Sequence, residues 1–442
     1  MRPLMRPALL VALALFAAPA AAQDLERVCL PNNDEGNGLS LQVDDAGVMH
    51  LARVARVGRS LLYTRIEADR TVTTEVAAEN VSRLLTAEVE DTGMRVEADG
   101  TVHICVHNAQ RKRMVLASRA AGVWTVTTLE SNVEGGGCDV TRYRGNLTVV
   151  YEDDGALKVA TQAANGTWSI VTADQVGGRR VGVRPSVAVG PNDAIAIAHR
   201  DATQGALRIS YLNFGAWTTT VPASMFTNGG VQPHASFAPN GTLTVVHGIA
   251  GTNPGLESDV FLLRTVGTPV AGFATQRTND FNVGGTLGGA RGDGVHYTAT
   301  RLLTRSAIFP PDDGLLLYTN DTGSGVFLER GFQNRRHVYK FVRVAADPFD
   351  LPVVVFLDEA SASFDLPAEA PVCYYRPVDT DGDRIPDAVE GDYGTNPNDA
   401  DSDDDGRTDG EEVLIDGTDP LVAAACQPRA ELCNGLDDDC DG

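Results

Sequence analysis

Ten carboxylates near the end of the chain fall in a phase that can hold a cation. In "DTDGDRIPDAVE", a twelve-position loop frame places Asp379, Asp381, Asp383, Asp387 and Glu390 at positions 1, 3, 5, 9 and 12, with Ile385 at position 7. In "DSDDDGRTDGEE" the same frame selects Asp401, Asp403, Asp405, Asp409 and Glu412, with Arg407 at position 7 and Gly406 at the sharp turn of position 6. A calcium loop takes side-chain oxygens at the first five of these positions and a backbone carbonyl at position 7. All ten side-chain positions are acidic, whereas Asp404 and Glu411 are the only acids among the other fourteen. A merely solvated acidic run has no reason to keep that phase. Oxygen ligands without His or Cys select Ca2+ over zinc, and a bidentate Glu at position 12 favours it over Mg2+. Loop one departs at position 6, where Arg384 stands and the glycine sits at 382, so a different turn is expected there.

Helices of EF-hand length are not read on either side of these loops. The stretch "GDYGTNPNDADSDDDGRTDGEEVLIDGTDP" resembles the thrombospondin type 3 repeats of bacterial surface proteins. That resemblance implies bound calcium on a chain with little regular structure, an irregular stalk stiffened by cations. The last residues, "CNGLDDDCDG", resemble a Cys-Asn-Gly-x-Asp-Asp-Asp-Cys-Asp-Gly metal-binding motif of exported proteins. Asp437, Asp439 and Asp441 take positions 1, 3 and 5 of a third loop and Gly442 takes position 6. Positions 9 and 12 are missing, so this loop reads as cut.

The loops hang from a body built of repeats. "MVLASRAAGVWTVTTLES", "LKVATQAANGTWSIVTAD" and "LRISYLNFGAWTTTVPAS" each hold an alternating strand, a turn ending in Gly-x-Trp and a second β-rich run. Upstream come further alternating strands, "DGTVHICVHN", "GNLTVVYEDD" and "DAIAIAHRDA". The unit is three strands at a spacing of roughly 50 residues, the period of a propeller blade. The expected fold class is all-β, a β-propeller of six or seven blades, with a β-sandwich array as the alternative. The repeats resemble degenerate sialidase-like propellers of bacterial exported proteins. The sialidase Asp-box is not present; "QAANGTWS" is the nearest stretch, which weakens a glycosidase reading.

Other chemistry in the body has blander readings. His50, His103 and His296 share one strand phase, and His199 and His247 share another with Tyr151 and Phe356. Aromatic residues at the same phase cannot ligate a metal, so the position reads as amphipathic packing. The acid run Glu152-Asp153-Asp154 reads as a turn.

The formal net charge is -23, and residues 379–442 hold 21 acids and three arginines, leaving the body close to neutral. Phosphate binding needs a basic face, so no nucleic-acid partner is expected. Arg2 and Arg6, an apolar run and Ala20-Ala21-Ala22 read as a cleaved secretory signal, too short to span a bilayer. No transmembrane segment is expected in the mature chain. Export puts the seven cysteines where they can pair. A Cys29–Cys373 disulfide is expected to close the propeller, and Cys426, Cys433 and Cys440 leave three pairings open. The expected organisation is a signal peptide at 1–22, a propeller at 23–377, calcium loops at 378–420 and a Cys-rich metal-binding motif at 421–442. The expected function is a secreted or outer-surface calcium-binding protein whose propeller binds or displays a glycan or protein ligand. The alternatives are a carbohydrate-active enzyme and a structural spacer.

Overall fold

The computed structural model describes residues 25–30, 36–55, 59–81, 92–222, 228–249, 262–269, 271–277, 283–291, 296–303, 313–319, 325–330, 337–360 and 371–423. Among them are seven four-stranded antiparallel sheets. Blades one to six are runs of consecutive strands at 36–78, 92–131, 138–175, 183–220, 231–277 and 283–330. Blade seven combines His337–Ala346, Pro352–Ala360 and Val372–Pro377 with the N-terminal strand Leu25–Cys29 at its outer edge. The first strand of each blade touches the first strand of the next, and that of blade seven touches that of blade one. The ring is therefore closed, and the fold is a β-propeller. No helix among the described residues is long and apolar enough to cross a membrane.

Hydrophobic patterning explains the layering. The second strands Met49–Ala55 and Val102–Asn108 are buried along their whole length, as strands packed on both faces must be. Blade-to-blade packing makes the core: Val54, Tyr63 and Ala77 of blade one meet Val102, Ile104 and Val115 of blade two. Each fully buried side chain of this kind contributes about 1.5–3 kcal/mol relative to exposure. The three tryptophans open or nearly open fourth strands and pack back on an interblade core. Trp124 joins the cluster of blades one and two, Trp168 that of blades two and three, and Trp217 a cluster rich in blade-three residues.

The three-strand unit expected from the sequence is corrected to four. The missed strand is the innermost one, such as Val183–Gly190 or Val231–Phe237. In five blades its pairing with the second strand shifts register, as between Val183 and Ser186. A bulge breaks strict alternation, so the periodicity that reveals the other strands is absent here.

Acidic side chains on fourth strands stitch neighbouring blades. Glu75 on the fourth strand of blade one receives Arg119 of blade two in a bidentate pair at 2.8 and 2.9 Å. Asp174 of blade three receives Arg208 of blade four at 2.5 and 3.0 Å. Glu130 of blade two accepts the Tyr151 hydroxyl of blade three at 2.6 Å. Two of the histidines are structural as well. The Nδ1 of His199 accepts the Gly182 N–H at 3.1 Å, and that of His247 accepts the Gly230 N–H at 3.1 Å. Their Nε2 atoms face Ser210 and Thr265 hydroxyls. Burial pushes these imidazoles down to about 3 and about 4, so both stay neutral. Glu152 is buried and paired with Arg180, while Asp154 sits in a turn with φ 46°.

Cys29 and Cys373 face each other across the outer strands of blade seven and form the expected disulfide. It joins the two chain ends inside one sheet rather than linking separate blades. A second disulfide, Cys105–Cys138, ties blade two to blade three. The sequence separations are 344 and 33 residues. In the chain-entropy view these correspond to about 5–6 and about 4 kcal/mol. The double variant Cys29→Ala/Cys373→Ala is thus expected to lower the thermal midpoint more than Cys105→Ala/Cys138→Ala. Tryptophan-fluorescence melts of the two variants check that order.

Candidate metal centre

Beyond Pro377 the alternating pattern stops, and turn-forming Asp and Gly take over. Loop one runs into the short helix α1 (Asp387–Tyr393), and loop two into α2 (Asp409–Glu411), which continues as π-helix over Glu412–Asp416. The two loops fold alike. In each, positions 1, 3 and 5 come together: Asp379, Asp381 and Asp383 form one group and Asp401, Asp403 and Asp405 another, with carboxylate oxygens all within 4.8 Å inside each group. Such a group could hold a metal ion.

Backbone amides hold the position-1 carboxylates. Asp379 accepts the N–H of Gly382 at 2.8 Å and of Arg384 at 3.1 Å. Asp401 accepts those of Asp405 at 3.2 Å and Gly406 at 2.8 Å. The position-5 carboxylates accept the position-7 amides, Ile385 at 2.7 Å and Arg407 at 3.0 Å. Arg407 also pairs with Asp416. These bonds wrap the chain around the space between the carboxylates and order positions 1 to 7.

The position-9 carboxylates also take hydrogen bonds within their own loops. Asp387 is engaged by the Thr380 N–H and hydroxyl at 2.8 and 2.7 Å. Asp409 is engaged by the Ser402 N–H and hydroxyl at 2.8 and 2.6 Å. Both carboxylates therefore brace position 2 of their own loop. The hydroxyl residues at position 2, Thr380 and Ser402, are the sequence signal for this bracing.

The oxygens left over fall at the same two positions in both loops. Buried and without a hydrogen-bond partner are Asp381 Oδ2 and Asp403 Oδ2 at position 3, both oxygens of Glu390, and Glu412 Oε2 at position 12. The Glu390 and Glu412 side chains belong to residues only 1% and 0% exposed. A buried, unpaired carboxylate oxygen is costly, and a cation is the partner this donor set lacks. Burial first, then the neighbouring Asp381, Asp379 and Glu390 charges, push Asp383 up to about 7. Asp379, Glu390, Asp403 and Glu412 are raised too, with burial the largest cause.

The expected departure of loop one at position 6 does not occur. Arg384 has φ 94° and Gly406 has φ 91°, so both loops make the same left-handed turn. Position 4 is left-handed as well, at Gly382 (φ 82°) and Asp404 (φ 58°). Each loop thus has one glycine for two left-handed positions, placed at opposite ones. The loops also touch. Asp383 Oδ2 accepts the Gly410 N–H at 3.1 Å, and a Cβ on Gly410 would collide with the Asp383 carbonyl. Asp437, Asp439 and Asp441, with Cys426, Cys433 and Cys440, lie outside the described residues.

A second concave site lies where the innermost strands converge. It is a cavity of ≈ 160 Å³ whose lining includes Asp139, Arg184, Gln232, His234 and Arg343. Asp139 accepts the N–H groups of Val140 and Val187, each at 2.8 Å, and burial pushes it up to about 6. The bulges that hid these strands from the sequence pattern place several of these residues; Arg184 and Gln232 have φ 48° and 45°.

Two outcomes follow from the loop geometry. Arg384→Gly should relieve a left-handed residue and stabilise loop one by about 1 kcal/mol, whereas Gly410→Ala should separate the loops. Limited proteolysis of the tail reads both. The raised Asp383 makes the cation-free tail less stable as pH rises from its ordinary value near 4 through about 7. In chelator, tail protection should be greater at pH 5 than at pH 8.

The bacterial TSP3 repeat family matches residues 379–400 and 401–423. No curated protein matches the chain. Solved structures similar to it include the polysaccharide lyase Uly1, at 10% identity and TM-score 0.43, covering 79% of this chain and 90% of that one. The NanB sialidase from Streptococcus pneumoniae is 11% identical, with TM-score 0.42, over 82% of this chain and 70% of its own. A protein of unknown function from Dyadobacter fermentans is 10% identical, with TM-score 0.45, over 80% and 97%. Residues 379–423, which follow the propeller, are accordingly a pair of bacterial TSP3 repeats.

Proposed function

We propose that this is an exported, extracellular calcium-binding protein, in which two calcium loops rigidify the segment that carries a propeller binding or display head. The observation that carries the reading is the recurrence of buried, unpartnered carboxylate oxygens at positions 3 and 12 of both loops. Asp379, Asp381, Asp383 and Glu390 would hold one ion with the Ile385 carbonyl. Asp401, Asp403, Asp405 and Glu412 would hold the other with the Arg407 carbonyl. Asp387 and Asp409 would act through the hydroxyl residues they brace, or through water, as position 9 of calcium loops commonly does. Bound calcium supplies positive charge that cancels the mutual repulsion of these acids, so binding and ordering of the tail share one free energy. Extracellular sites of this kind bind at about 10⁻⁴ to 10⁻³ M, which suits permanent structural occupancy outside the cell better than sensing.

Residues 1–22 would direct export, and the ligand-binding face of the head would be the polar cavity around Asp139 and Arg343. A cell-surface glycan or protein is the partner proposed for it.

Calorimetric titration of the chelator-treated protein should show two calcium sites with dissociation constants of about 10⁻⁴ to 10⁻³ M. Glu412→Gln should remove one site and leave the other. An isotherm without calcium heat, together with unchanged tail proteolysis, would reject the proposal.

A further inference from the structure

Loop one lies against the propeller, at the seam where the ring closes. Arg376, three residues before Asp379, donates from Nε to Glu26 on the N-terminal strand at 2.6 Å and from Nη1 to the Ala68 carbonyl of blade one at 3.0 Å. Glu26 also receives Arg70 of blade one at 2.7 Å. The polar stitch between blades seven and one therefore ends at the first calcium loop. On the same side, Asp379, Arg384 and Pro386 of loop one share a small cavity with Val43, Gly47, Met49 and Ala68 of blade one and with Asp347 and Phe349 of blade seven. At the end of α1, Tyr393 meets Phe349 edge to face, with ring centroids 6.0 Å apart. The Asp387 N–H closes the loop onto the Val378 carbonyl at 2.9 Å.

We infer that loop one is a clasp: calcium held there stabilises the propeller itself, by keeping Asp379, Arg384 and Pro386 in the cavity at the seam and Tyr393 on Phe349 of blade seven. This rests on the calcium reading and goes beyond it, because a stalk that merely hung from the ring would leave the ring unchanged. Both contacts depend on the conformation of loop one. Arg384 sits at its left-handed turn, and Tyr393 follows Glu390 on the same short helix. Among the described residues, loop two is hydrogen-bonded to loop one by the Gly410–Asp383 bond.

The three tryptophans all lie in the propeller, at 124, 168 and 217, so their fluorescence reports the ring and not the tail. The test uses the full chain, melted in millimolar calcium and in chelator, with tail proteolysis read in parallel. Millimolar calcium should raise the tryptophan-monitored midpoint by about 1 to 2 °C. Asp381→Asn/Glu390→Gln should abolish that rise. Asp403→Asn/Glu412→Gln should keep most of it. Tyr393→Ser should shrink the rise while calorimetry still finds calcium bound at loop one. A midpoint that does not move with calcium while the tail becomes protease-resistant overturns the clasp and leaves the calcium reading standing. A full rise in the loop-one variant also overturns it. Loss of both the rise and the calcium heat in the unaltered protein removes the calcium reading and the clasp together.

Discussion

A ring of sheets has one place where its two chain ends must meet, and every other blade depends on that meeting. Here it is the pairing of Leu25–Cys29 with Val372–Pro377. Five residues of strand are a small contact with which to hold a ring of more than 300. The chain reinforces it covalently through Cys29–Cys373 and electrostatically through Glu26, which takes an arginine from each side. It also places the two described candidate cation loops immediately downstream. The location of the tail is thus a consequence of topology: the last strand of blade seven is next to the outermost one, so the chain leaves the ring beside the seam.

The tail was the most legible part of the sequence because ligand chemistry fixes residue type at fixed steps. A carboxylate at positions 1, 3, 5 and 12 has few substitutes, so the phase survives in one sequence. What phase could not show was which acids share a centre and which brace the loop. Asp387 and Asp409 take ligand positions in the frame, and they also brace Thr380 and Ser402. Nor could residue type show that Arg384 would accept φ 94°, since that conformation is imposed by the backbone bonds around Asp379. In the body, second and third strands were readable from alternation, while the innermost strands were hidden by their own bulges. The Cys29–Cys373 pairing was readable because those residues bracket the repeats; the Cys105–Cys138 bond needed the adjacency of two blades.

Body and tail solve the problem of buried charge in opposite ways. Between blades, each acid meets a donor already in the chain: Glu75 meets Arg119, Asp174 meets Arg208, and Glu130 meets Tyr151. These pairs are complete within the fold and independent of the medium. In the tail the acids outnumber the donors, and Glu390 keeps both oxygens unpartnered. Completeness there depends on what the surroundings supply. The interblade pairs therefore take nothing from the medium, whereas the tail depends on ions and protons for the partners its acids lack.

The seat of Gly410 on Asp383 gives the tail a property beyond that of two separate sites. One repeat begins 22 residues after the other, and this bond links the fifth residue of the first loop to the tenth of the second. Repeats joined in this manner form a one-dimensional array, whose mechanics are those of neighbouring couplings rather than of isolated links. Loosening of either loop should therefore be felt by its neighbour through the Gly410–Asp383 bond.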